Sequence, residues 1–323
     1  MRLLPPLLRD PALHELVVVV DGSDDGSYEL LRNLARGEPR IIPLFIPNQG
    51  EAAARTHGVR QATGEVVVIL DDDVEAAPGL VTAHAEGHVT EPDLVLVGYM
   101  PVVDPEPLGA RLYADRYEAH CRRWLDDPGS VLRTLWAGNM SLRRDAYLEV
   151  VAQDPPRHRY DFHADRVFGL RCEAAGLRGV FDLGCRAVHH YSRSLDGLST
   201  DARNQGLALV RLHDEFPSQS PPLTPVQFTW YLPSYQRPLV NLCRRPTAAA
   251  LVSAALRETV RLIDSLGAPK AAELATLMMT IERQTGAILA TQQIRSSPAD
   301  PGADRMIRRP ALRLPLGAQR GSA

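Results

Sequence analysis

Over the first hundred residues, short β-branched apolar runs alternate with more polar stretches of helical character. Leu16 to Val20, Ile41 to Ile46 and Val66 to Leu70 read as buried strands, with Ser27 to Ala35 and Glu51 to Gln61 as the helices between them. Strand and helix in alternation predict an α/β fold with a doubly wound, mostly parallel sheet. Leu80 to Val89 continues as helix, Leu94 to Met100 as strand, and Ala110 to Trp124 as a helix carrying Tyr113, Tyr117 and Trp124 toward one side. From Leu132 to Val188 the pattern is mixed: a turn-rich WAGNMS segment, a helix from about Asp165 to Ala175, and the strand of CRAVHH. Phe216 to Pro238 is rich in Pro and Ser, which breaks both rhythms. Thr247 to Leu266 and Lys270 to Gln293 regain helical spacing and predict a hairpin about Gly267 and Pro269. The expected organisation is an α/β domain over 1–215, a linker or wrapping segment over 216–246, a helical hairpin over 247–294 and a disordered tail over 295–323.

The run VVVILDDDV, Val66 to Val74, adds chemistry to this pattern. A strand buried on both faces cannot hold Asp71, Asp72 and Asp73 unless they stand at its carboxyl edge, where open α/β sheets bind their ligands. Three adjacent carboxylates repel one another unless a cation is shared among them. The run therefore reads as a divalent-metal site for a phosphorylated ligand or as a solvated acidic turn. VVVVDGSDDGS, Val17 to Ser27, is a second strand ending in an acid. Asp21 there can accept a hydrogen bond from a base or ribose, and Gly22, before Ser23, lets the backbone approach a ligand closely, although a bare DGS turn is also common as plain structure. In NQGEAAAR, Gly50 opens a helix at the same sheet edge and Arg55 lies one turn inside it, facing a phosphate or solvent.

Composition narrows the classes. With 323 residues, 45% hydrophobic and 23% charged, the chain has ample core for one large domain or two smaller ones. A net charge of -3 supplies no basic field, which disfavours nucleic acid as a partner. Cys121, Cys172, Cys185 and Cys243 lack CxxC spacing and suit reduced thiols in the cytoplasm rather than a disulfide framework. No apolar run approaches the roughly 20 residues needed to span a bilayer.

Together, DGSxDGS, the NxGxxxAR helix, the strand ending in LDDDV, the GNMSLRR segment and a later acidic helix resemble the family-2 glycosyltransferases of GT-A fold, over about Leu7 to Leu212. The resemblance implies inverting transfer of a sugar from a nucleotide-sugar, usually a UDP-sugar, to a glycan, lipid-linked or small-molecule acceptor. It implies that Asp21, with Gly22 and Ser23, recognises the nucleobase and that Arg55 lies near the base or phosphates. Asp71 and Asp73 match the outer acids of the DXD motif around Asp72, contacting ribose and a Mg²⁺ or Mn²⁺ on the diphosphate. Trp136, Gly138 and Asn139 match a loop beneath the donor sugar, and His189 or His190 would complete the metal shell, with His189 favoured. Asp165, at the start of its helix, is the implied general base. The family usually has Glu-Asp here, whereas this chain has Ala164 before Asp165, and Asp161 is the competing base.

Two departures stand against this resemblance. Family members open with a strand of the type VSVVIPTYN, which here would precede the first residue, so that Leu16 to Val20 is expected to lack a neighbour. Val20 stands where the family often has a second Asp. The alternatives are a non-catalytic sugar-nucleotide-binding or scaffold protein of the same fold and, with less support, a nucleotidyltransferase, for which no Gly-rich triphosphate loop precedes the acids. A dehalogenase-like phosphatase is weaker still, since Ser23 replaces its second acid. The terminal helices, with Leu274, Leu277, Met278 and Ile281, would cover the core, dimerise or rest on the inner face of a membrane, the last being least favoured because basic residues are few.

Overall fold

A computed structural model of the chain describes residues 3–153, 160, 162–219, 229 and 232–296. A short helix α1 (Leu4–Leu8) leads into β1 (Leu16–Asp21), α2 (Ser27–Ala35), β2 (Ile41–Ile46), α3 (Glu51–Gln61) and β3 (Val66–Leu70). The break before α2 is local chemistry: Asp25 Oδ1 accepts the Ser27 N–H at 3.0 Å and Gly26 takes a left-handed φ of 87°. There follow β4 (Val74–Ala76), α4 (Leu80–Gly87), β5 (Leu94–Tyr99), α5 (Leu108–Asp126), β6 (Asn139–Arg143), α6 (Arg144–Ala152), α7 (Ala164–Ala174), β7 (Arg178–His189) and α8 (Leu195–Glu215). The C-terminal part forms α9 (Arg237–Leu242), α10 (Pro246–Ser265) and α11 (Lys270–Ser296), with Gly267 at φ 67° between the last two. Asp161, residues 220–228, 230 and 231 of the Pro-rich stretch, and residues 297–323 lie outside the described residues.

The strands form two hydrogen-bonded groups, β1-β2 and β3-β6-β5-β7-β4. Parallel pairing, as strand–helix alternation predicts, holds for β1–β2 and β5–β7. The larger sheet is mixed, however, because β6 runs antiparallel between β3 and β5, and β4 antiparallel to β7. The connection from α5 to β6 passes through two short 3-10 turns, Pro128–Ser130 and Leu132–Thr134, instead of a crossover helix, so β6 enters from the opposite end. Among the described residues β1 pairs with β2 alone.

The core lies on both faces of the larger sheet. Val67, Ile69, Val95, Val97, Met140 and Leu142 pack with Trp124 and Tyr147 on one side, while Val74, Leu80, Leu94, Leu96 and Tyr117 pack on the other. All four cysteines are buried and unpaired. Leu277, Met278 and Ile281 on α11 are buried too, so this helix covers the domain through α8 and α10. Its crossing with α8 has no side-chain spacer: an added Cβ on Gly206 would collide with the Arg283 carbonyl, and one on Gly286 with that of Arg203.

Candidate active site

Arg55 is the hub of the polar cluster above the carboxyl ends of β1 and β3. Its guanidinium pairs with Asp165 at the start of α7, with Glu51 one helical turn before it, and with Asp71 at 3.2 Å. Only 13% of the Arg55 side chain is exposed. Burial works against its charge, but Asp165, Glu51 and Asp71 outweigh that and hold the guanidinium above its ordinary pKa. Asp71 is pushed up by its partial burial, with Arg55 opposing and Asp165 and Asp73 adding repulsion. Asp165 also accepts the Ala137 N–H on Oδ2 at 2.9 Å, which ties the base of α7 to the WAGN segment.

The DDD turn divides its three acids. Asp71 N–H donates to the Gly138 carbonyl at 3.1 Å, and Val74 N–H closes the turn on the Asp71 carbonyl at 3.1 Å. Gly138 lets the two come close: an added Cβ would lie 2.6 Å from Asp71 Oδ2 and displace that side chain. Asp72 is exposed, whereas Asp73 turns to His189, whose Nε2 lies 3.2 Å from Asp73 Oδ2. Val74 and His189 are register partners, so β4–β7 pairing sets this contact. His190, one residue on, faces the other way and meets Glu75 at 2.7 Å. Asp73 and His189 thus form a carboxylate–imidazole pair, while Asp71 is held by Arg55. Among the described residues no three His, Cys, Asp or Glu side chains stand together in a metal-holding group.

Asp21 takes a different part. Its two carboxylate oxygens accept the N–H groups of Gln49 and Gly50, each at 2.7 Å. Gly22, at φ 75°, lets Asn48 approach so closely that a Cβ would lie 2.7 Å from the Asn48 nitrogen. The DGS turn and the NQG loop therefore clasp each other beside the mouth of the pocket, with Gly22 and Ser23 exposed. Asn139 does not reach the pocket. Its side chain is fully buried, with Oδ1 against His84 at 2.9 Å and Nδ2 donating to the Cys185 carbonyl at 3.0 Å. His84 and His88 both contact Ser141 Oγ at 2.8 Å, so alternation along β6 places Asn139 and Ser141 in one buried network facing α4.

Trp136 belongs to an aromatic wall. Its ring lies 5.6 Å from Tyr113, which stacks on Tyr191 at 3.9 Å and meets His189 edge-on at 5.1 Å. Burial raises the Tyr113 phenol pKa, and Tyr191, Asp71, Asp73 and Asp165 add to it. Tyr191 was detectable in HHYSR, because residues two apart on an extended segment share a side. Tyr113 was visible only as one of several aromatic positions on α5.

Carboxylates, an arginine and aromatic rings gather at the strand edge of a mixed α/β sheet of GT-A type fold. The fold assignment is supported by a mannosyltransferase from Pyrobaculum calidifontis in complex with GDP-Man and Mn2+, which aligns at TM-score 0.50 and 18% identity over 86% of this chain and 78% of that one. Residues 7–150 match the family described as Glycosyl transferase family 2. A glucosyl-dolichyl phosphate glucuronosyltransferase of Haloferax volcanii is 29% identical over 186 residues, 54% of this chain and 58% of that protein. An undecaprenyl-phosphate 4-deoxy-4-formamido-L-arabinose transferase of Aeromonas hydrophila is 37% identical over 81 residues, 23% of this chain and 25% of that protein. The chain thus spans less than two thirds of these curated relatives.

Proposed function

We propose that the chain is an inverting glycosyltransferase that moves a sugar from a nucleotide-sugar to an acceptor hydroxyl, with Asp165 as general base. The observation that carries this reading is Arg55, which brings the strand-end Asp71 and the helix-start Asp165 into one pocket. The acceptor oxygen attacks the anomeric carbon from the face opposite the diphosphate, and the bond to the leaving oxygen breaks with its electron pair. The hydroxyl proton passes to Asp165. Arg55 and Ala137 occupy one donor position on each Asp165 oxygen, and a carboxylate with about four lone-pair sites keeps room for that proton.

The donor set at Asp73 and His189 fits a hard divalent cation, since a buried imidazole and a half-exposed carboxylate already converge there. These two residues, with Asp71 beside them, would hold Mg²⁺ or Mn²⁺. When bound, such an ion neutralises charge that develops on the leaving diphosphate. Asp21 shapes the nucleobase side by holding the Gln49–Gly50 loop, and Trp136 and Tyr113 form the wall for the sugars. Likeness to a glucosyl-dolichyl phosphate glucuronosyltransferase and an undecaprenyl-phosphate sugar transferase supports a lipid-linked acceptor. Among the described residues no helix is long and apolar enough to cross one.

A sugar-nucleotide-binding protein without activity is the second reading, favoured by the ion pair that Asp165 already makes. Incubation with labelled nucleotide-sugars and Mn²⁺ separates the two. Release of nucleoside diphosphate, lost in a folded Asp73→Ala variant, is the expected result. Pyrophosphate release would indicate nucleotidyl transfer, and no release from any donor would leave a binder.

A further inference from the structure

Ala137, Gly138 and Asn139 are consecutive, and each is held by a different part of the molecule. Ala137 N–H donates to Asp165 Oδ2 at 2.9 Å, and the Gly138 carbonyl accepts Asp71 N–H at 3.1 Å. Asn139 turns the other way, into a buried set of polar side chains. Asn139 and Ser141 of β6 meet His84 and His88 of α4 there, and none of the four is more than 1% exposed. Apolar side chains would be the cheaper packing between a helix and a sheet face, so a polar set at this place calls for a role.

The hydrogen bonds of this set run in one direction. The Cys185 carbonyl can only accept, so the bond it makes at 3.0 Å orients the Asn139 amide, with Nδ2 donating and Oδ1 facing His84. His84 Nε2 then carries the proton that Oδ1 accepts at 2.9 Å. Burial holds His84 down at about 4, so at neutral pH its ring is uncharged and Nδ1 is a bare acceptor. Ser141 Oγ–H donates to that Nδ1 at 2.8 Å and accepts from His88 Nε2–H at 2.8 Å, which leaves His88 Nδ1 without a partner. Gly98 on β5, the strand between β6 and β7, makes room for the end of the chain: an added Cβ there would collide with both Asn139 Nδ2 and the Cys185 oxygen. The Asn139 amide therefore bridges β6 to β7 across β5 and is gripped by α4.

The β3–β6 register ends with Leu70 opposite Asn139, and one further bond joins Asp71 N–H to the Gly138 carbonyl. Ala137 lies beyond both, and the buried Asn139 side chain is the nearest anchor for the path of the chain into it. We propose that His84 and Asn139 are positioning residues for Asp165: by clamping the start of β6 they aim the Ala137 N–H at Asp165 Oδ2. This rests on the reading of Asp165 as the acceptor-side base. Arg55 holds one oxygen of that carboxylate and Ala137 the other, so the anchor sets how the base is turned toward an incoming hydroxyl. Neither His84 nor Asn139 touches substrate.

Two conservative replacements of the histidine separate anchoring from packing. A glutamine places its amide nitrogen near the Nε2 position and can still donate to Asn139 Oδ1, whereas an asparagine reaches only the Nδ1 position and Ser141. Each breaks one buried bond, so both should lower the urea midpoint and stability alone does not tell them apart. His84→Asn and Asn139→Ala are expected to lower turnover by about tenfold or more with donor KM unchanged, while His84→Gln retains most of it. Nucleoside diphosphate release at varied donor concentration measures this. Exchange of the Ala137 amide with deuterium, followed by NMR on the full chain, reads the anchor without any substrate. Its protection should fall by about tenfold or more in His84→Asn and Asn139→Ala and persist in His84→Gln. Equal turnover losses in the two histidine variants, or unaltered Ala137 protection in folded His84→Asn and Asn139→Ala, would overturn the proposal. A wild-type chain that releases no nucleoside diphosphate would instead sink the reading of Asp165, and the exchange measurement would still decide whether His84 and Asn139 hold Ala137.

Discussion

β1 and β5 are written in nearly the same residues, LVVVVD and LVLVGY, and reach different depths in the molecule. In β1 only Val20 is buried, whereas Leu94 through Gly98 of β5 all are. The difference comes from neighbours: β5 lies between β6 and β7, and β1 pairs with β2 alone. Apolar β-branched sequence makes a strand, but the count of flanking strands decides how much of it leaves water. The same division runs through the pocket. Asp21, on β1, is satisfied by loop N–H groups, while Asp71, Asp73 and His189 are set by the larger sheet and Asp165 is tied to it through Ala137.

The sharpest way to break this comparison is on activity. Asp165→Asn is expected to lower turnover by about 10²–10⁴-fold with the fold intact, as loss of a general base does. Asp21→Asn should instead act mainly on donor KM by loosening the Gln49–Gly50 loop. Nucleoside diphosphate release at varied donor concentration reads both, and equal losses of turnover would erase the distinction.

Stability gives the next effect. Leu96→Ala, in the fully flanked strand, should cost about 2–5 kcal/mol by urea denaturation. Leu16→Ala, at a half-buried β1 position, should cost about 1 kcal/mol because less apolar surface is lost. Similar values would mean that β1 is covered as well as β5 is.

A further effect concerns acid. Burial holds the His84 imidazole down at about 4 against an ordinary 6.5, while the unfolded chain takes up its proton at the ordinary value. Stability is then complete above about pH 6.5 and falls as pH drops toward 4, by about 2 kcal/mol at pH 5 from this residue. Denaturation midpoints at pH 7 and pH 5 check it, and His84→Gln should flatten the slope.

The strands that carry Asp21 and Asp71 were legible because β-branched runs ending in acids have one economical structural solution. Arg55, Asp71 and Asp165 could be expected in one pocket only through the family resemblance, since nothing in their spacing states it. The antiparallel β6 was hidden because local residues specify a strand and not the strand beside it. Asn139 shows the same limit: the motif suggested a place near ligand, but its orientation depends on alternation with Ser141 and on His84, 55 positions earlier. Likewise, the Asp21 clasp depends on Gly22 meeting Asn48, a tertiary contact that a DGS turn does not announce.

The bare crossing at Gly206 and Gly286 makes α8 a fixed ruler for the C-terminal helix. Since backbone touches backbone, a methyl added at either glycine cannot be absorbed by a rotamer change; a whole helix must slide. The hydrogen bonds from Arg283 to Gln205 would be strained with it. Variation at these two glycines should therefore be compensated only by another change that narrows the same crossing.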